Sequence, residues 1–64
     1  MIELTRLNDR KFTLNSDLIE TVEEVPDTSI TLTNGKKIMV KESRLEIKKL
    51  VMDFKKEIFG QNNM

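Results

Sequence analysis

The spacing of the apolar residues changes at Ser43, and this change divides the chain into two kinds of structure. Before Ser43, apolar and polar residues alternate in short runs, which is typical of strands that bury one face. There are five such runs, and they begin near Ile2, Phe12, Leu18, Ile30 and Ile38. After Ser43, the apolar residues follow the three- and four-residue spacing of one helical stripe. The stripe consists of Ile47, Leu50, Val51, Phe54 and Ile58.

These two patterns predict an α+β fold in a single small domain over residues 1–60. We expect a small antiparallel five-stranded sheet or partial barrel, built with two hairpins within residues 1–41. One C-terminal helix is predicted to follow over about residues 43–59 and to cover one face of the sheet. Residues 61–64 are predicted to form a frayed tail.

The ends of the helix have recognisable signals. Ser43 and Glu46 have the S-x-x-E spacing of a capping box, in which each side chain accepts a hydrogen bond from the other residue's backbone N–H group. Gly60 is predicted to end the helix, because glycine is the usual residue just beyond a helix C-terminus.

The stretch ITLTNGKKIMV, residues 30–40, predicts a hairpin with a structural turn at Asn34 and Gly35. A two-residue Asn-Gly loop would place Ile30 and Ile38 on opposite faces of the hairpin. A three-residue loop, with the glycine in the left-handed conformation of a G1 bulge, pairs Ile30 with Ile38 and keeps both on one face. The sequence therefore favours the longer loop.

The same loop length fits the first hairpin, LTRLNDRKFTL, residues 4–14. It pairs Leu4 with Phe12 and places Asp9 at the position of the glycine, in a conformation that aspartate tolerates better than most residues. The two stretches share Asn-(Asp/Gly)-(Arg/Lys)-Lys. This similarity fits either a degenerate internal repeat or two hairpins that use the same turn chemistry.

Length and composition limit how such a domain is stabilised and what it can do. With 64 residues, the chain buries only about 60% of the surface that its unfolded form exposes. It has no cysteine and no histidine, so disulfides are excluded and a metal site would need oxygen ligands alone. Self-association is the remaining aid, and we expect a homo-oligomer. The missing residue types also remove most catalytic designs, so we expect neither an enzyme nor a cofactor.

Charge is distributed unevenly along the chain, although its net value is zero. Residues 1–33 hold three basic and seven acidic side chains, whereas residues 34–64 hold eight basic and four acidic ones. Such asymmetry can orient a partner or pair two copies head to tail. The alternative is that the two halves fold together and their charges mingle on one solvated surface.

Three ligand classes are disfavoured by local context. A phosphate loop needs a helix directly after the glycine, but a strand is predicted after Gly35, so Lys36 and Lys37 are interpreted as exposed turn residues that can contact an acidic partner. The acidic cluster from Glu20 to Glu24 lies in a predicted strand, whereas calcium sites use loops. Nucleic-acid binding is not expected, because the chain has three Phe and no Trp or Tyr for base stacking.

One apolar set does not fit the predicted core stripe. Leu45, Met52 and Phe59 lie seven residues apart and fall on the opposite face of the helix. Large apolar groups on that face meet water unless a partner covers them, so we interpret them as protein-contact residues, with a second copy as the simplest partner. Isolated exposed apolar residues are also ordinary on protein surfaces.

No targeting or membrane segment is predicted. The N-terminal stretch MIELTRLNDR has charges where a signal peptide needs an apolar core, and no apolar run approaches the roughly 20 residues that span a bilayer. We expect a cytoplasmic protein.

Three stretches of the sequence resemble a known family. MIELTRLN at the start, the segment from FTLNSDLIETVEEVPDT to LTNGKKIMVKES and the final charged helix resemble small flagellar proteins of the FlbD/SwrD type. The resemblance implies a non-enzymatic cytoplasmic protein that supports swarming motility by increasing the power of the flagellar motor. Its partner would be a protein of the motor or its stator, contacted through protein–protein interactions.

A second resemblance gives an alternative function. Residues 1–6, MIELTR, together with five short strands and a C-terminal helix, look like the carbon-storage-regulator family of dimeric RNA-binding regulators. The likeness ends after the first strand. The segment Lys41–Arg44 lacks the valine-x-arginine run that contributes to RNA contact in that family.

Overall fold

The computed structural model describes residues 1–62, and the side chains of residues 1–58. Five antiparallel strands are followed by one C-terminal helix, which confirms the predicted α+β class. The elements are β1 (Ile2–Thr5), β2 (Lys11–Leu14), a 3₁₀ turn (Ser16–Leu18), β3 (Ile19–Glu24), β4 (Thr28–Leu32), β5 (Lys37–Val40) and α1 (Arg44–Asn62). The 3₁₀ turn is not foreseen by the alternation pattern.

The β1–β2 hairpin has the predicted register, with Leu4 opposite Phe12. The N–H group of Arg6 donates to the carbonyl of Arg10 at 2.8 Å, so the loop contains three residues. Asp9 adopts a φ of 70°, the left-handed conformation expected at this position. The side chain of Phe12 is half-buried, and the Arg6 guanidinium lies 4.4 Å above its ring centre.

The β4–β5 hairpin repeats this geometry. Ile30 lies opposite Ile38, and the N–H group of Leu32 donates to the carbonyl of Lys36 at 2.8 Å. Gly35 has a φ of 87°, so the three-residue loop predicted for this hairpin is confirmed. In both turns an asparagine Oδ1 accepts from the backbone N–H two residues later, at 3.1 Å for Asn8 and 3.0 Å for Asn34.

The predicted five strands lie in two sheets, which are joined at one point. β1 and β2 form one sheet, and β3, β4 and β5 form the other in that order. Arg6 forms an isolated antiparallel bridge with Val40, and the N–H group of Lys41 donates to the carbonyl of Thr5 at 2.8 Å. The end of β1 is therefore joined to the end of β5. The turn between β3 and β4 contains a cis Val25–Pro26 peptide bond.

The core lies between the two joined sheets and α1. Its most deeply buried side chains are Leu4, Ile30, Val40 and Ile47, each less than 2% exposed. Ile47 is the helix's contribution to this group, and Leu50, Val51 and Phe54 pack against the core as partly buried residues. The helix contacts β1 and β3, and each of these strands lines a different groove beside it. Helix packing therefore closes the open face of the sheet.

The predicted core stripe is wrong at its C-terminal end. Ile58 is 40% exposed, although its spacing places it on the inward face of α1. A helix of 19 residues is about 28 Å long, whereas strands of four to six residues span about 13–20 Å. The helix also continues past Gly60 to Asn62. It is therefore longer than the sheet that it covers.

Hydrogen bonds fix the start of α1. Ser43 Oγ accepts from the N–H group of Glu46, and Glu46 Oε1 accepts from the N–H group of Ser43, both at 3.1 Å. This is the reciprocal geometry of a capping box. The carboxylate of Glu24 accepts from the N–H group of Arg44 at 2.7 Å, which links the end of β3 to the first turn of the helix.

A second carboxylate ties β1 to the segment before the helix. Glu42 accepts hydrogen bonds from the backbone N–H and from the hydroxyl of Thr5, both at 2.8 Å. Partial burial raises the pKa of Glu42, but the hydrogen bonds from Thr5, one from its own backbone and the charge of Lys11 outweigh this effect. The net result is a pKa below the ordinary value of 4.5.

This pKa predicts a pH-dependent contribution to stability. Because the folded state binds the Glu42 proton less tightly, its contribution is fully present above about pH 4.5 and is lost as the pH falls through the lowered pKa. We expect Glu42→Gln to lower the free energy of unfolding at pH 7 by about 1 kcal/mol and to flatten its pH dependence below pH 4.5. Urea unfolding at several pH values measures both effects, and an unchanged pH profile would contradict the assignment.

The turn of the second hairpin gives a backbone prediction. No atom lies within 4 Å of the position that a Cβ would take at Gly35, so replacement by alanine meets no clash and acts only through the left-handed backbone. We expect Gly35→Ala to lower the free energy of unfolding by about 1 kcal/mol. Thr33→Ala in the same loop is the control, with a much smaller expected effect. Equal thermal midpoints for the two variants would show that the turn does not need glycine.

Candidate protein-contact surface

Helix α1 presents a basic flank to the side of β3. Arg44, Lys48 and Lys55 border a groove of about 410 Å³ between α1 and β3. The apolar part of its lining includes Val22 on β3 and Met52 on α1. The basic flank is defined here as Arg44, Lys48 and Lys55 together with this groove. At about 100° per residue, the three cations fall within a narrow arc beside the buried face of the helix.

The opposite side of the helix, next to β1, forms an acidic flank. It is defined by Glu3, Glu42, Glu46 and Asp53, which line a groove of about 520 Å³. Lys49 also lines this groove, so its net charge is about −3 when all of these groups are ionised. The helix therefore separates two surfaces of opposite charge.

The cations of the basic flank have no carboxylate partner among the described side chains. Within residues 1–58 the structure has one salt bridge, which joins Lys41 to Asp9. In the same range the buried Oγ of Ser16, a residue that lines the basic groove, has no hydrogen-bond partner. The three cations are exposed, so an approaching molecule can pair with them, whereas the Ser16 hydroxyl is closed off from solvent.

The predicted contact residues lie on exposed surface where the structure describes them. Leu45 is 65% exposed and Met52 is 59% exposed. Met52 also lines the basic groove, and Leu45 lies about 20° from Met52 around the helix axis. The side chain of Phe59 lies outside the described residues. Lys36 and Lys37 are exposed at the start of β5, next to the turn formed by Asn34 and Gly35.

The pairing of charge with each flank is not among the sequence-based predictions, which follow apolar spacing around the helix and compare charge only between the two halves of the chain. The signal is nevertheless present in the sequence, since Arg44, Lys48 and Lys55 are spaced by four and seven residues on one side of a helix. Glu46 and Asp53 are likewise seven residues apart on the other side. The tertiary structure is needed to see that Glu3 lines the acidic groove and that β3 lines the basic groove.

Other site chemistry is not supported by side-chain clusters in the part of the chain that the structure describes. There, no three acidic side chains approach closely enough to hold a metal ion. Helix α1, over its described length, is too polar to cross a membrane.

Comparison with known proteins identifies the family of this chain. Neither a curated protein nor a solved structure matches the chain. A family model described as flagellar and swarming motility proteins, FlbD, matches residues 1–59. This match covers both hairpins and nearly all of α1, including both flanks. The chain therefore belongs to the FlbD family of flagellar and swarming motility proteins.

Proposed function

We propose that this protein supports swarming by increasing the power of the flagellar motor, and that it acts through protein–protein contacts in the cytoplasm. The partner would be a protein of the motor or its stator. Family membership supports the link to flagellar motility. The observation that carries the contact mechanism is the exposure of Leu45 and Met52 beside the basic flank, whose cations have no carboxylate partner within residues 1–58.

Such a surface has the composition of a protein-contact site. Exposed Met52 supplies apolar area, while Arg44 and Lys48 supply charge next to it. Contact sites commonly combine an apolar centre with a polar rim that orients the partner. A partner segment with apolar and acidic side chains fits this surface best. Lys36 and Lys37, exposed beside the β4–β5 turn, are proposed as a second contact point for an acidic surface.

Self-association is also part of the proposal. A 64-residue chain without disulfides has a small core, here formed chiefly by seven buried apolar side chains. The C-terminal half of α1 leaves Ile58 exposed although it is on the inward face of the helix. Contact with further protein would reduce this exposed apolar area. A homo-oligomer that presents several copies of the contact surface would also bind a multi-subunit motor more tightly than one copy does.

A genetic experiment tests this function. The gene is deleted in its native host and replaced by the wild type, by Met52→Lys or by Val25→Lys, and filament number and the torque of tethered motors are measured. We expect deletion to leave filament number unchanged and to lower torque. Met52→Lys should behave like the deletion, because a lysine at the centre of the contact surface should weaken binding about tenfold or more.

Val25→Lys is the matched control for this substitution. Val25 is 86% exposed and lines neither groove, so the same type of change is made at an apolar residue outside the helix, and torque should stay normal. Equal torque in the two variant strains would contradict the contact surface. A fall in filament number in the deletion strain would instead indicate a regulatory role.

A further inference from the structure

We propose that copies of this protein associate head to tail, with the acidic flank of one copy docked against the basic flank of the next. This inference rests on the self-association included in the proposed function and names its surfaces. It predicts that each copy uses both flanks at once, one for each neighbour.

Charge complementarity is the first step. The basic flank has three cations without a carboxylate partner among the described side chains, and the acidic flank has four carboxylates and one lysine. Opposite potentials steer two such surfaces together, whereas contact between like flanks brings like charges close. A second copy can therefore supply carboxylate partners for these three cations, whose side chains have none among the described residues.

The positions of the flanks determine the symmetry of the contact. Lys48 and Lys55 on one side, and Glu46 and Asp53 on the other, lie roughly 160° apart around the helix. One twofold contact uses the same surface patch on both copies, so it cannot join two flanks that face in opposite directions. Joining unlike flanks gives a heterologous contact, which repeats from copy to copy until it closes into a ring or continues as a chain.

The lysines around Met52 disfavour the simplest twofold alternative. In an antiparallel pair of helices centred on Met52, Lys48 of one copy lies near Lys56 of the other, and Lys49 lies near Lys55. Each of these pairs places like charges together. The exposed apolar residues alone would permit that dimer, but their charged neighbours oppose it and favour contact between unlike flanks.

Apolar contact supplements the charge. Val51 and Met52 line the basic groove together with Val22, and Leu50 lines the acidic groove. Docking of one copy against another would cover part of this apolar surface. Because the charges are exposed and the grooves are shallow, each contact should be weak and sensitive to salt.

Charge reversal in the purified protein tests the inference. Lys48→Glu with Lys55→Glu makes both flanks acidic, and Glu3→Lys with Asp53→Lys makes both flanks basic. These four side chains are exposed and make no hydrogen bond among those described, so both double variants should fold. Glu42 and Glu46 are left unchanged, because they bind Thr5 and Ser43.

Sedimentation at low salt is the measurement. We expect the wild type to self-associate. Each double variant should be monomeric, because both of its flanks have the same charge and two copies therefore repel each other. An equimolar mixture of the two variants should associate again, since an acidic flank of one then meets a basic flank of the other. Raising the salt from about 50 mM to about 500 mM should dissociate both the wild type and the mixture.

The matched control is Glu23→Lys with Asp27→Lys, which changes the net charge by the same amount as the second double variant, at two exposed residues that line neither groove. This control should associate like the wild type. Circular dichroism confirms that each variant is folded. A wild type that stays monomeric at low salt, or folded variants that fail to associate when mixed, would overturn the inference.

These outcomes are distinguishable from failure of the proposed function. Motor torque in the deletion strain depends on the motility role, whereas sedimentation of the purified variants depends only on contact between copies. If deletion lowers motor torque and the wild-type gene restores it, but every purified protein sediments as a monomer, the head-to-tail contact is rejected. The motility function still stands in that case.

Discussion

The burial of Ile47 against the core residues of the two sheets is the contact that holds the helix and its two charged flanks in place. Its side chain is 1% exposed and is the helix's fully buried contribution to the core. Burying an isoleucine contributes about 1.5–3 kcal/mol, a large share of what a domain of this size has available. The same contact fixes the rotation of α1 about its axis. Once Ile47 points inward, Lys48 must point towards β3 and Asp53 towards the side of β1.

Stability and the proposed contact surface therefore depend on one helix. The inward face completes a core that the sheet alone leaves open, and the two flanks separate opposite charges along the edges of that core. Two carboxylates hold the start of α1 in place. Glu24 accepts a hydrogen bond from the first turn of the helix, and Glu42, just before the helix, accepts one from Thr5 on β1. The proposed contact mechanism can use such a surface, because its shape and charge select the partner.

Much of the fold follows from local sequence rules, and the site follows from them only in part. The alternation of apolar and polar residues, together with the number of residues in each loop, predicts the register of both hairpins. A shift by one residue would move Ile30 and Ile38 to opposite faces. The exposure of Ile58 is not predicted, because helix periodicity contains no information about where the sheet ends. The grooves are not predicted either, since they join α1 to Val22 on β3 and to Glu3 on β1.

Solvent labelling of single cysteines along α1 tests the anchoring role of Ile47 directly, because the chain has no cysteine of its own. Ile47→Cys, Lys48→Cys and Asp53→Cys each introduce one thiol whose alkylation rate reports its exposure. We expect slow labelling at position 47, and labelling at positions 48 and 53 close to the rate of the unfolded chain. Equal rates at all three positions in the folded protein would show that α1 is not fixed by Ile47, and both flanks would lose their structural basis.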